Sequence, residues 1–383
     1  MAKFAVSSNV VSTSYGLYGD SYLEDTLGIF SRKVAISSAA ALGVVALLAG
    51  CASAPADDAA DGGSLAVPCM VSDSGGFDDK SFNQSGYEGL TAASDELGVT
   101  PITVESAAET DFAPNIQSLV DQGCTLITTV GFLLADATKE AAAANPDVNF
   151  AIVDDSSIVA DNVKPIVFDT AQAAFLAGYT AASYSTTGVV GTFGGMQIPP
   201  VTIFMDGFAD GVAYYNQENG ANVKVVGWDV ASQTGSFTGG FAAGVEAKTA
   251  AQGLIDQNAD VIFPVGGPIF LSAAEAIKDS GKDIPLIGVD SDAYLTAPEI
   301  KSMFLTSVLK QVGVGVAEVT LAAANGKFDN TPFVGTLANG GVGLAPFHDY
   351  ASKVNPDLQS QLDAITKGIN DGSIQVVSPS SPK

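Results

Sequence analysis

Residues 65–90 read LAVPCMVSDSGGFDDKSFNQSGYEGL. The first eight form an apolar run of the length of a strand buried on both faces. Glycines and aspartates then break it, and Phe82, Tyr87, Leu90 and Leu97 recur on or near one face of a helix. Strand, polar loop, helix is the start of a βα unit, and the pattern repeats. TPITVES (100–106), TLITTVG (125–131), NFAIVDD (149–155) and KPIVFDT (164–170) read as short strands, separated by helical stretches such as ADATKEAAAAN (135–145). This rhythm predicts a parallel sheet covered by helices on both faces.

The rhythm restarts at GVVGTFGG (188–195). A helix over about 201–217, the strand NVKVVGW, a helix over 238–257, VIFPVGG (261–267), a helix over 271–279 and PLIGVDSD (285–292) make a second α/β unit. SMFLTSVLK (302–310) and a helix over 313–325 add a further βα pair, and the tail carries a helix near 357–370 and a short strand SIQVV. Two such lobes, with strand ends facing each other, enclose a cleft where open α/β sheets bind ligands.

Composition narrows the function. The 383 residues are 47% hydrophobic and 15% charged, so the chain folds. Its net charge of −26 disfavours nucleic acid as a partner. One His and three Cys leave little for a zinc site or a His-based catalytic centre. Binding without metal or cofactor, rather than catalysis, is the expectation.

Residues 34–50, VAISSAAALGVVALLAG, follow Arg32 and Lys33 and stop at Cys51. A basic pair before a short apolar core is a secretory signal. Leu48-Ala49-Gly50-Cys51 resembles the bacterial lipobox, which predicts cleavage before Cys51, a lipid anchor on it and an extracytoplasmic position at the cell membrane. A transmembrane anchor, or a signal whose Cys is accidental, is the alternative. Residues 1–30 precede the basic pair that should open the signal, which points to a start site placed too early; a long leader is the other reading. Residues 51–64, rich in Ala, Asp, Gly, Ser and Pro, read as a flexible tether. Cys69 and Cys124 are expected to stay unpaired, because Cys124 precedes the whole TLITTVG strand, a stagger of about 13 Å against a Cα limit of roughly 7 Å.

GGFDDKSFNQSGYEGL (75–90) resembles the opening signature of the basic membrane protein family of substrate-binding lipoproteins, similar to nucleoside receptors of ABC transporters. TTVGFLLADATKEAAAANPDVNFAIVDD (128–155), FDTAQAAFLAGYTAA (168–182), MDGFADGVAYYN (205–216), VIFPVGG, PLIGVDSD and LTSVLK (305–310) continue the resemblance in order, from about residue 66 to the end. It implies the type I periplasmic-binding-protein fold: two doubly wound α/β lobes with a ligand cleft between them. The implied crossings lie near Thr170, Ala297 and Lys327, so that residues 66–170 plus 298–326 form lobe one and 171–297 plus 327–383 lobe two. The implied function is a lipid-anchored receptor that captures a nucleoside, purine foremost, by hinge closure and presents it to an ABC permease. A receptor for another small solute such as a sugar, or a nucleoside-processing enzyme, is the alternative. A transcription regulator of this fold would carry a basic helix-turn-helix where the lipobox stands.

Site residues follow from position and resemblance together. Asp78, Asp79, Ser81 and Asn83 open a helix, where capping and ligand contact are both open readings; the resemblance favours contact for Asp78, and Asn83 suits either. Tyr87 falls where the family carries an aromatic that stacks on the base, although its helical phase also fits core packing. Phe237, in the loop SQTGSFTGG, resembles the aromatic that closes from the other lobe. Asp154 ends a strand and looks like the reader of the base edge, with Asp155 as its neighbour. Asp290 ends another strand and suits a ribose diol, with Asp292 beside it. Lys310 is implied to reach the sugar or the site carboxylates, and Gly266 and Gly267 to let backbone approach the ligand. A metal-dependent enzyme would need a denser ligand set; the sole His, His348, sits in the tail region.

Overall fold

The computed structural model describes residues 66–382. The signal, Cys51 and the whole tether lie outside the described residues. Lobe one opens with β1 (Pro68–Ser74), α1 (Phe82–Leu97), β2 (Ile102–Ser106), α2 (Phe112–Asp121), β3 (Leu126–Val130), α3 (Ala135–Ala144), β4 (Asn149–Val153) and β5 (Val163–Phe168). The chain then crosses at Asp169–Thr170 into lobe two. That lobe holds α4 (Thr170–Tyr184), β6 (Val189–Gly194), α5 (Pro199–Asn219), β7 (Lys224–Val226), the two-residue ribbon β8 (Trp228–Asp229) and β9 (Thr234–Gly235), and α6 (Val245–Asp256). It continues with β10 (Ile262–Val265), α7 (Ile269–Ser280), β11 (Leu286–Asp290), α8 (Ala293–Thr296) and β12 (Phe304–Lys310). The remaining elements are α9 (Val312–Ala324), β13 (Phe333–Gly335), β14 (Val342–Leu344) and α10 (Leu358–Asn370).

The first sheet has the order β13-β5-β4-β3-β1-β2 and is parallel throughout. The second has the order β14-β12-β11-β10-β6-β7 and is parallel except for β14 against β12. Strands β1, β3 and β4 are apolar runs because helices cover both their faces. Helix α4 is buried on nearly every side, as expected of a helix without a polar stripe. Its contact with α5 is backbone on backbone: a Cβ on Gly178 would lie 2.0 Å from the Phe208 carbonyl oxygen, so only glycine fits there.

The lobe boundaries differ from those expected. Strand β12 belongs to the second sheet, beside β11, whereas α9 returns to lobe one and packs on α1. The second crossing is therefore at Lys310–Val312, not near Ala297. Strand β13 then joins the first sheet beside β5, so the third crossing falls between Gly335 and Val342, not near Lys327. Strand β12 is buried along nearly its whole length, and a strand buried on both faces carries no alternation to mark which sheet it enters. The crossings are stitched together: the Asp169 N–H donates to the Gly335 carbonyl at 2.8 Å, and the Gln311 N–H to that of Gly341 at 2.9 Å. Two local expectations also change. The helix expected over 238–257 begins only at Val245, after a glycine-rich loop, and SIQVV is irregular rather than a strand.

Cys69 and Cys124 form a disulfide, with Cα atoms 6.0 Å apart, contrary to the expectation that both are free. A straight extension of β3 would keep Cys124 well away from Cys69. Instead the chain turns at Gly123 (φ 81°), and the Thr125 N–H bonds the Val67 carbonyl, which brings Cys124 beside the start of β1. The bridge spans 55 residues. Loop closure on that scale is worth about 4 kcal/mol, or roughly 6 °C in a chain of this size. Cys69→Ala/Cys124→Ala should melt lower by about that amount, and thiol labelling of unreduced, denatured protein should find neither cysteine reactive.

Candidate functional site

The C-terminal ends of the strands of both sheets converge on a cavity of about 300 Å³ between the lobes. Its polar lining is Asp73 and Ser74 from β1, Asp79 and Asn83 at the start of α1, Asp154 after β4, Asp290 from β11 and Lys310 from β12. The aromatic walls are Phe82 and Phe132 from lobe one and Phe204 and Phe241 from lobe two. Backbone enters at Gly131, Gly266 and Gly267.

Two strand ends adopt the left-handed conformation at an aspartate, Asp154 (φ 72°) and Asp290 (φ 64°). Asp tolerates this region better than most residues, at a cost of order 1 kcal/mol, and such strain clusters at binding sites. Gly131 and Gly266 hold positive φ at the matching ends of β3 and β10.

The carboxylates differ in their compensation. Asp79 accepts the Ser81, Asn83 and Gln84 backbone N–H groups at 2.9–3.1 Å, so it caps α1. Asp154 pairs with the Lys310 ammonium at 2.5 Å, and Lys310 also lies over the Phe82 ring at 4.8 Å and near Phe168 and Phe204. Burial raises Asp154 above its ordinary value, with Lys310 opposing. Asp290 accepts the Ser81 hydroxyl at 2.7 Å across the lobes; burial pushes it up to about 6 despite Lys310 and Ser81. Asp73 takes one hydrogen bond, from Asn83 Nδ2 at 2.8 Å, and burial lifts it to about 7. The Asn83 Oδ1 atom is buried without a partner. The site is thus rich in acceptors and poor in donors, and it suits a neutral solute that carries several N–H or O–H groups. Among the described residues no three His, Cys, Asp or Glu side chains are grouped to hold a metal ion.

On one flank the lobes touch directly. Lys80 pairs with Glu299 at 2.7 Å, and the Thr296 hydroxyl donates to the Lys80 carbonyl at 2.8 Å.

Of the expected contacts, Asn83, Asp154, Gly266, Asp290 and Lys310 come together here, with Gly267. Asp78, Tyr87 and Phe237 do not line the cavity. Asp78 sits on the exposed face of its turn, because the capping role turns its neighbour Asp79 inward. Tyr87 is more than a turn along α1 and stacks on Phe77, ring centroids 5.0 Å apart. Phe237 packs edge-on against Trp228 and beside Gly194, and four residues later Phe241 supplies the wall. Asp155 is buried but accepts Ser157 locally, and Asp292 caps α8 and pairs with His348. Asp73 and the four wall aromatics were not singled out in the sequence. The rule that flagged Asp154 and Asp290, an acid at a strand's C-terminal end, also describes Asp73.

Residues 66–377 match the Bmp family model, described as ABC transporter substrate-binding protein PnrA-like. The chain is 31% identical to the ABC transporter nucleoside-binding protein BmpA of Lactococcus lactis, over 91% of this chain and 99% of that protein. It is 29% identical to basic membrane protein A of Borreliella burgdorferi, over 79% and 86%. The crystal structure of an ABC transporter solute-binding protein from Aeropyrum pernix superposes with a TM-score of 0.72 at 25% identity, over 82% of this chain and 94% of that one. The two-lobed type I periplasmic-binding-protein fold is therefore shared with solute-binding proteins.

Removing Lys310 would strand Asp154 in a buried site. Lys310→Ala should cost roughly 3–5 kcal/mol near neutral pH in urea unfolding. The loss should shrink toward pH 4. Without Lys310 the folded protein keeps a proton on Asp154 that the unfolded chain releases above its lower pKa, so stability falls as pH rises. Adding Asp154→Asn should restore most of it.

Proposed function

The chain belongs to the Bmp family of PnrA-like ABC transporter substrate-binding proteins, and we propose that the solute it captures is a nucleoside, a purine nucleoside foremost. The family binds small solutes outside the cytoplasm for an ABC permease. The observation that carries the nucleoside reading is the pairing in one cavity of flat aromatic walls from both lobes with a rim of acceptors. A nucleobase offers two π-faces, and base–aromatic stacking is worth about 1–3 kcal/mol. A ribose offers hydroxyl donors. Phe82 and Phe241 stack on the base, Asn83 and Asp154 read its edge, and Asp290 with Lys310 takes the ribose diol, the chemistry by which acidic residues hold ribose in dinucleotide folds. The backbone at Gly266 lies close against the solute. The name of the Lactococcus lactis relative supports the same reading.

Anchoring through Cys51 and delivery for import complete the proposal. The Cys69–Cys124 disulfide supports an oxidising, extracytoplasmic setting. No helix among the described residues is long and apolar enough to cross a membrane. Cys51→Ser should move the protein from the membrane to the soluble fraction with nucleoside affinity intact; continued membrane association would exclude the lipid anchor.

Calorimetric titration tests the ligand. Inosine or guanosine should bind the full-length protein. Asp290→Ala should weaken either by roughly 1.5–3 kcal/mol, the range for hydrogen bonds to a charged group. That loss should shrink for a 2′,3′-dideoxynucleoside, which lacks the diol. Phe241→Ala should weaken both ligand types alike, because stacking ignores the sugar. Equal losses of Asp290→Ala on the two types would remove the ribose assignment, and tighter binding of a free sugar than of any nucleoside would replace the reading.

A further inference from the structure

Asp73 is the cavity carboxylate with the least compensation. Its Oδ1 accepts Asn83 Nδ2 at 2.8 Å, and its Oδ2 has no hydrogen-bond partner among the described residues. Gly131, just after β3, packs on that oxygen so closely that a Cβ there would lie 2.5 Å from it. The charged groups that face Asp73 are all acids: Asp79 before α1, Asp154 after β4 and Asp290 on β11. Lys310 of β12, the one cation among the described residues that line the cavity, is held by Asp154. Asp79 has its three backbone donors and Asp290 its serine. A proton retained in this cluster therefore belongs on Asp73, where no cation or backbone donor competes for the carboxylate.

We propose that Asp73 meets the solute as a carboxylic acid and donates a hydrogen bond to an acceptor atom of it, while Asp290 meets it ionised as an acceptor. No bond to hydrogen is broken; the proton stays on Asp73. The inference rests on the nucleoside reading for the identity of the acceptor, a ring nitrogen or carbonyl oxygen of the base. It makes Asp73 a specificity-determining residue, because a base that presents a donor at that point leaves two hydrogens facing each other. Burial places Asp73 at about 7 and Asp290 at about 6, so the required protonation states coexist in a narrow window between them. Affinity then falls on both sides of that window: above it Asp73 loses its proton, and below it Asp290 gains one.

The test is the pH dependence of inosine binding to the full-length protein, by calorimetry, for the parent, Asp73→Asn and Asp73→Ala. The parent should lose about tenfold in affinity between pH 7 and pH 8.5. Asp73→Asn, which keeps an N–H donor that cannot ionise, should bind more weakly than the parent at pH 6.5 but hold its affinity up to pH 8.5. Asp73→Ala should be weaker than both throughout. A parent profile flat from pH 7 to pH 8.5, or the parent's slope persisting in Asp73→Asn, overturns the proposal. If inosine and guanosine fail to bind the parent at all, the nucleoside reading falls separately. Asp73 is then read in the ligand-free protein by its side-chain carboxyl ¹³C shift: a midpoint near 7 upholds the retained proton, and one below about 5 overturns it. Should Asp73→Asn fail to fold, that same titration of the parent decides the matter.

Discussion

Lys310 and Asp154 meet at 2.5 Å from opposite lobes, and Lys310 is 3% exposed. A charge pair withdrawn so far from water is tolerable only with good geometry and further contacts, here the aromatic faces of Phe82, Phe168 and Phe204. Lys310 is the last residue of β12, immediately before the second crossing, and Asp154 follows β4 in a left-handed turn. The pair thus links the two lobes beside the second crossing and within the lining of the cavity. Displacing either sheet would separate the charges or admit water between them. Asp290 and the Phe82 wall take their positions around the same ammonium.

The remaining acids are placed around this pair according to what each can obtain. Asp79 has the N-terminus of α1, whose free N–H groups and dipole favour an anion. Asp290 has a hydroxyl from the opposite lobe, so its position depends on how the lobes stand together. Asp73 has one amide. The acids therefore differ in how each is neutralised: Asp79 by backbone donors, Asp290 by a hydroxyl and whatever donor a solute brings, and Asp73, with the least from the protein, by the proton it is proposed to retain. Acceptors that the protein leaves unmatched, including the Asn83 Oδ1 atom, are the ones a donor-rich ligand can satisfy at least cost to the fold.

The two-lobe α/β architecture was legible because parallel strands covered on both faces appear as apolar runs, and because acids at the ends of such runs, Asp154 and Asp290, stand out against them. The same burial on both faces hid the sheet to which β12 belongs. Helical phase does not separate the aromatics: Tyr87 and Phe82 share α1, but of the two only Phe82, at its first position, lines the cavity. In the loop before α6, Phe237 and Phe241 have similar surroundings in sequence, and tertiary packing on Trp228 separates them. The disulfide escaped because a strand cannot be extended by arithmetic through a turn at Gly123. Asp73 was within reach of the strand-end rule, but the Gly-Gly and Asp-Asp that follow it drew the reading downstream.

Strand β1 joins the two demands on the molecule. Its second residue, Cys69, is bridged to the turn before β3; four residues on, Asp73 opens into the cavity. At about 3.3 Å per residue these features are some 13 Å apart, too far for the bridge to touch a ligand, yet they share one rigid strand. The bridge restrains the unfolded chain and so stabilises the fold, whereas the crowded carboxylates weaken it at neutral pH. An acceptor-rich cavity that closed without a solute would bury those carboxylates for no return. Separation of the lobes lets water supply the donors, and a solute that brings its own favours closure only to the extent that it binds the closed arrangement better. In the proposed hinge closure, that electrostatic cost would make closing depend on a solute that supplies the missing hydrogen-bond partners.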